Sequence, residues 1–247
     1  TDADFVAVNR THPPMELLDL LTFSLNPQVH AFDDLSLMEN LDAQSAIIAS
    51  AVKLSRDCPV CVSPVTLKRR FNPDATAPEE AQAGTLPASV DPRQMSLLAA
   101  AWTAGSLARL CRADFLTFFE THGWRGVLQG NSPPALPGLF PAEPGDIFPV
   151  YHVLQAFLGF FPEHWSAPLV DRPLELAAIR LQRGERNRLL LANLKPLPQR
   201  LRLNLPTEAT ITVLDGATVD MAYRDAEFWV NANSKRLGET SELELSD

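Results

Sequence analysis

Four side chains capable of chemistry fall within the short run Glu120-Thr-His-Gly-Trp-Arg125: Glu120, His122, Trp124 and Arg125. A carboxylate can act as nucleophile or general base, and imidazole or guanidinium groups can hold hydroxyls or stabilise a developing oxyanion. Trp124 offers a ring face on which a sugar can stack. Directly before them, Phe115, Leu116, Thr117, Phe118 and Phe119 suit a buried strand that would end at Glu120. An acid at a strand end is also a common solvated feature, but four such groups clustered together favour a site.

Residues of the same kinds follow other apolar runs. Asn9 and Arg10 close an apolar run over 4–9. Asn26, His30 and Asp33 follow the run over 21–25, and Ser63, Thr66 and Arg70 lie at or past the end of the run over 60–65. If these runs are parallel strands, their C-terminal ends open onto one mouth. Glu120 and His30 are then the catalytic candidates. Asn9, Asn26, Asp33, Ser63, Arg70, His122, Trp124 and Arg125 are the substrate-binding candidates. Each has a plainer reading as well: Asp33 as a helix cap, His30 as a structurally bonded strand-end histidine, and Arg70 as part of a solvated basic turn.

Metal and cofactor signals are weak. His30 with Asp33 is too sparse for a metal triad. The pair in Cys58-Pro-Val-Cys61 opens an apparent strand, where residues three apart point to opposite faces, and no second Cys/His pair completes a zinc site. No glycine-rich phosphate loop follows any strand, so the sequence implies no cofactor. The chain has 247 residues, 46% hydrophobic and 21% charged, with a net charge of -9 that argues against a nucleic-acid surface. No apolar run reaches membrane-spanning length. Three cysteines and an opening without signal-peptide character point to reduced thiols in the cytoplasm. The opening residues also lack an initiator Met, which reads as a fragment missing its N-terminal part.

The positioning elements follow from periodicity and punctuation. Strands are predicted over 4–9, 21–25, 60–65 and 115–120. A helix is predicted from Ser36, with Glu39 as its capping-box partner, to about Ser55, and another from Asp91-Pro92 to about Leu110. Residues 72–90 read as a long surface loop, and a mostly apolar helix, buried on most sides, is predicted over 149–161. Four alternating strand–helix units signal a parallel sheet. Beyond Pro168 the runs over 174–181, 188–194, 201–205, 211–214, 226–230 and 243–245 are short, often alternating and separated by Gly, Pro and Asn, as in antiparallel sheet. The fold class is therefore α/β plus all-β: the second half of a (β/α)8 TIM barrel over 1–166, then a small antiparallel β-sandwich over 167–247.

The stretch Phe23-Ser-Leu-Asn-Pro-Gln-Val-His-Ala-Phe-Asp-Asp34, with Glu39-Asn40, Gln44, Ser63-Pro-Val-Thr66 and Phe119-Glu-Thr-His-Gly-Trp-Arg-Gly126, resembles the barrel domain of the D-apionate lactonases. The resemblance implies a fold like that of clan-A glycoside hydrolases, with a C-terminal β domain behind the barrel. It implies hydrolysis of the lactone of D-apionate, a branched sugar acid, in carbohydrate catabolism. The partner would be a small sugar-acid or carbohydrate substrate, with neither nucleic acid nor membrane involved. By strand-end position, Glu120 would activate water while His30, Asn26 or Arg125 stabilises the oxyanion. In a glycosidase-like site a second carboxylate would come from the missing N-terminal half of the barrel. The alternatives are a retaining glycoside hydrolase on the same scaffold and a non-catalytic carbohydrate-binding fragment.

Overall fold

Leu21, Phe23 and Leu25 alternate with Thr22 and Ser24, and that alternation builds the first strand of the core. The computed structural model describes residues 3–72, 75, 83–204, 208–238 and 240–246. Before that strand, the run expected as a strand over 4–9 is a helix, α1 (Phe5–Thr11). The Asp4 carboxylate accepts from the Val6 amide and caps it, Phe5 and Val8 bury one face, and the Phe5 ring packs on Phe23 at 5.1 Å. A short apolar run does not by its pattern choose between helix and strand; here the acid at its start decides.

β1 (Leu21–Leu25) leads to α2 (Asp34–Glu39) and α3 (Leu41–Ser55). The single predicted helix is thus two, broken at Asn40. Asp33, not Ser36, is the N-cap: its Oδ1 accepts from the Ser36 amide at 2.9 Å. Glu39 faces Lys195 at 3.8 Å instead of closing a capping box. β2 (Val60–Val65) lies parallel to β1, with Leu21 beside Val60. Of the predicted loop over 72–90, residues 73–74 and 76–82 lie outside the described residues. Asp91 caps a 3-10 turn, Pro92–Met95, and a second cap, Ser96, starts α4 (Leu97–Arg109), so the one helix expected here is also divided.

The buried strand expected over 115–120 is reduced to β3 (Phe115–Leu116), parallel to β2, and Phe115 is 57% exposed. Among the described residues β3 has a strand on one side only, which makes it an edge strand of this sheet. Three parallel strands, in the order β1-β2-β3, stand where four were expected. The chain then turns through β4 (Glu120–His122) and β5 (Gly126–Leu128) to α5 (Pro149–Leu158). Helix α5 is not buried on most sides as its composition suggested: Val150 and His152 face the interior, but Leu158 is exposed.

β6 (His164–Ser166), β7 (Leu176–Arg183) and β8 (Arg186–Asn193) form an antiparallel sheet whose hairpin turns at Gly184, with φ 54°. β9 (Gln199–Asn204) and β10 (Ala209–Thr212) pair antiparallel with strands from the end of the chain; Leu205, expected in β9, lies outside the described residues. After β10 come α6 (Val219–Arg224) and α7 (Ala226–Ala232), where a strand was expected over 226–230. The cause repeats that at Asp4. The Asp225 side chain accepts from the Glu227 amide at 3.0 Å, and its carbonyl accepts from the Trp229 amide. β11 (Ser234–Leu237) pairs with β10, and β12 (Thr240–Leu245) with β9.

Helix α4 joins these parts. No residue from Leu97 to Leu110 is exposed, and Trp102 is fully buried. Leu41 of α3 packs on one side and Ile179 and Leu181 of β7 on another. The Gln44 side chain donates to Ser106 Oγ across the α3–α4 contact at 3.0 Å. A Cβ built on Gly105 would sit 2.5 Å from Leu41 Cδ1, and Leu41 is itself fully buried. Gly105→Ala is expected to lower stability by about 1 kcal/mol, because overpacking outweighs the roughly 1 kcal/mol gain in helix propensity. Chemical denaturation measures this; an unchanged or higher midpoint contradicts it.

The same core makes stability depend on pH through His152. Its Nε2 donates to the Ala222 carbonyl at 2.9 Å, and Trp229 packs on its ring at 4.8 Å. Burial holds its pKa below the ordinary 6.5, with the Ala222 bond opposing. A histidine held neutral when folded is destabilising once the unfolded chain binds the proton more readily. Its contribution is therefore fully present above pH 6.5 and is lost as pH falls through the lower folded value. His152→Gln keeps a donor for Ala222 and is expected to flatten the dependence of the denaturation midpoint on pH just below 6.5.

Candidate functional site

Parallel strands deliver their C-terminal ends to one edge of the sheet. After β1 come Asn26 and the loop to Asp34, after β2 come Thr66 to Arg70, and after β3 comes Glu120. The pairing continues past the strand ends: Thr66 N donates to Leu25 O at 3.0 Å, and Val65 N donates to Thr117 O at 2.8 Å. Ser63 on β2 meets Thr117 through their hydroxyls at 2.6 Å.

Glu120 is held by a tightly coiled segment. Its amide donates to the Arg125 carbonyl at 3.1 Å, Gly123 N donates to Leu128 O at 2.8 Å, and Gly126 N donates to Gly123 O at 2.8 Å. Gly123 takes φ 79°, which favours glycine, and a Cβ on Gly126 would come within 2.5 Å of His122 backbone. The result folds Arg125 back onto Glu120. Arg125 Nη2 lies 2.8 Å from Glu120 Oε1, and Arg70 Nη1 lies 3.8 Å from the same oxygen. Arg125 Nη1 also donates to Ser89 Oγ at 3.2 Å. The Arg70 side chain is 18% exposed. Burial and then the charge of Arg125 pull its pKa down to about 10, with Glu120 opposing. Glu120 itself is half exposed, at 48%.

The other candidates are distributed as follows. Trp124 is half-buried and lines a small cleft with Arg70, Arg125 and Thr66. His122 is exposed on β4, its ring close to Gly130. Asn26 is half-buried, with its Oδ1 buried and without a hydrogen-bond donor among the described residues. His30 is exposed in the loop after β1, and no hydrogen bond among the described residues joins it to Glu120. The Asp33 carboxylate is engaged in capping α2, and the hydrogen bond from the Ser36 amide holds its pKa below the ordinary value. Asn9 is exposed on α1, so the strand-end position expected for it does not exist. The structure therefore brings Glu120, Arg125, Arg70 and Trp124 together, and sets Asn9 apart on a helix.

Sequence reasoning missed the residues that hold this edge together. Gln28 is buried and its amide donates to Leu67 O at 2.7 Å and to Asp91 Oδ2 at 2.6 Å. Arg93 grips the same Asp91 in a fork, Nε to Oδ1 at 2.9 Å and Nη2 to Oδ2 at 2.8 Å. It also donates to Gln28 Oε1 at 2.8 Å, to Asp34 Oδ1 at 2.7 Å and to the Phe32 carbonyl at 3.0 Å. The loop from Asn26 to Asp34 is thereby fixed to the 3-10 turn. Gln94, next along that turn, donates to the Gly126 carbonyl at 2.9 Å and so fixes the Glu120 segment to it as well. Burial alone would raise the Asp91 pKa, but the hydrogen bonds from Arg93 and Gln28 outweigh it and hold the group ionised. The bond to Asp91 raises Arg93 correspondingly. Gln28 lies inside the quoted motif, and Asp91 is read in the sequence only as the start of a helix. Nothing local announces that residues 63 apart in sequence will meet.

Among the described residues no group of three His, Cys, Asp or Glu side chains is placed to hold a metal. The three cysteines are free, and the Cys58 thiol donates to the Leu18 carbonyl at 3.4 Å. No helix among the described residues is long and apolar enough to cross a membrane.

The fold and this edge define a class: an α/β domain with polar groups at the C-terminal ends of parallel strands, followed by a β domain. A family model described as D-apionate lactonase, TIM barrel domain, matches residues 1–160. A second, D-apionate lactonase, C-terminal immunoglobulin-like domain, matches residues 173–246. The chain belongs to the D-apionate lactonase family. A D-apionate lactonase from Brucella anthropi is 28% identical over 199 residues, which are 79% of this chain and 31% of that protein. This chain thus spans about a third of the length of that relative. Among solved structures, a family 51 alpha-L-arabinofuranosidase from Bifidobacterium longum superposes with TM-score 0.55 at 12% identity, covering 95% of this chain and 52% of that one, a likeness of fold alone.

Asp91 is 2% exposed and its charge is balanced chiefly by Arg93. Arg93→Met is expected to destabilise the protein by about 3–5 kcal/mol, as removal of one partner from a buried ion pair does. A loss of unfolding free energy smaller than about 1 kcal/mol in denaturant titration would show that Gln28 alone suffices.

Proposed function

We propose that this chain contributes the catalytic edge of a sugar-acid lactonase acting on D-apionolactone or a close relative of it. The observation that carries the reading is Glu120: a half-exposed carboxylate at the C-terminal edge of the parallel strands, with one oxygen held by Arg125 and the other, Oε2, without a hydrogen bond among the described residues. Membership of the D-apionate lactonase family supports the choice of reaction.

In this reading Glu120 Oε2 takes a proton from water as the oxygen attacks the lactone carbonyl. The oxyanion that forms is stabilised by Arg125, with Asn26 and His30 as further donors. Collapse re-forms the C=O bond and breaks the ring C–O bond, and the proton on Glu120 returns to the leaving alkoxide. The product is one molecule carrying a hydroxyl and a carboxylic acid, and the acid releases its proton to solvent to become the carboxylate. Residues 1–166 would supply later βα units of a barrel and residues 167–247 a β-sandwich; the partner would be a small sugar-acid lactone, not nucleic acid, in the cytoplasm. Ser63, His122 and Trp124 would line the substrate.

The experiment is hydrolysis of D-apionolactone beside a panel of aryl glycosides, with wild type and Glu120→Gln. Loss of a general base is expected to lower kcat by about 10²- to 10⁴-fold. Lactone turnover untouched by the substitution removes Glu120 from the chemistry, and turnover of glycosides alone replaces the reading with a glycoside hydrolase.

A further inference from the structure

Two guanidinium groups converge on Glu120, and a single carboxylate does not balance them. Arg125 takes Oε1 at 2.8 Å; Arg70 Nη1 reaches it only at 3.8 Å, beyond hydrogen-bond distance. That Nη1 is buried and has no hydrogen-bond acceptor among the described residues, while Nη2 makes one long bond to the Arg125 carbonyl at 3.5 Å. Asp91 lines the same cleft, but both of its oxygens are taken by Arg93 and Gln28. Lys68 borders the same cleft and adds a further positive charge. A desolvated cation without a full partner is costly, and a guanidinium edge is shaped to take a carboxylate. The cleft between Arg70, Trp124 and Arg125 has a volume of about 10 Å³. That is room for about one oxygen atom.

We propose that Arg70 is a carboxylate-recognition residue: it takes one oxygen of a sugar acid into this cleft, and so makes the site prefer the open-chain acid to neutral polyols. The identity of the anion rests on the lactonase reading, in which ring opening creates a carboxylate beside Glu120. Arg70 then binds product more strongly than the neutral lactone, and the acid competes with its own precursor. The second guanidinium, fixed by Glu120 and Ser89, keeps its charge directed at the same cleft.

Titration calorimetry at low salt tests this with D-apionate and with the alditol that carries CH2OH in place of its carboxylate. The acid is expected to bind at least about tenfold more tightly, the worth of one charge-assisted hydrogen bond. Arg70→Met is expected to remove that preference by weakening the acid alone, and Arg70→Lys to restore part of it. A thermal melt of each variant establishes that it is folded. Equal binding of acid and alditol by wild type overturns the assignment, as does a preference that survives Arg70→Met, and the cleft then holds no more than a water. Lactone turnover is measured in parallel. A carboxylate preference without turnover overturns the lactonase reading and leaves Arg70 assigned, whereas turnover without the preference overturns this inference alone.

Discussion

Helix α4 is enclosed along its whole length, and small side chains make that enclosure feasible. Ala99, Ala100, Ala104, Gly105 and Ala108 let α3 on one side and the β7–β8 hairpin on another approach its backbone closely. Trp102 fills the volume that the alanines leave. Interiors pack at crystal-like density, so such a helix fixes the distance between the elements on its flanks. The α/β part and the first sheet of the β part therefore share one continuous core, which also draws in α5 and, through His152 and Trp229, α7.

The candidate site hangs from the start of this helix. The turn Asp91 to Met95 immediately precedes α4, and its polar side chains reach outward to the strand ends. Asp91 and Arg93 hold the Asn26–Asp34 loop, and Gln94 holds the Gly126 carbonyl. A rigid helix thus carries a polar turn, and the turn carries two segments far apart in sequence. The charges within the turn are internally balanced, which leaves the surplus positive charge at Arg70 and Arg125 directed at Glu120 and the cleft beside it.

Much of this order was legible in the sequence. Alternation marked β1, the run over 60–65 marked β2, and the change of pattern after Pro168 marked the antiparallel strands. The stretch from Asn26 to Asp34 and the Glu120 segment were picked out as the chemically interesting regions, and the structure places both at the same sheet edge. Two of the errors share a cause. The runs over 4–9 and 226–230 are too short for periodicity to separate helix from strand, and an acid just ahead of each, Asp4 or Asp225, supplied the cap that settled it. The breaks at Asn40 and at Ser96 were hidden because apolar spacing runs on across them.

The sequence by itself determined the α/β-then-β division, the local elements long enough to show a period, and the types of group available for chemistry. Those properties are local: they depend on the intrinsic geometry of the backbone and on neighbours within a turn or two. Tertiary structure decided which groups meet. Arg70 and Arg125 share Glu120, and Gln28 and Asp91 bond across 63 residues, because packing on α4 and parallel pairing of β1, β2 and β3 bring their segments together. Such contacts are fixed by chain closure and core packing, to which no short window of residues has access.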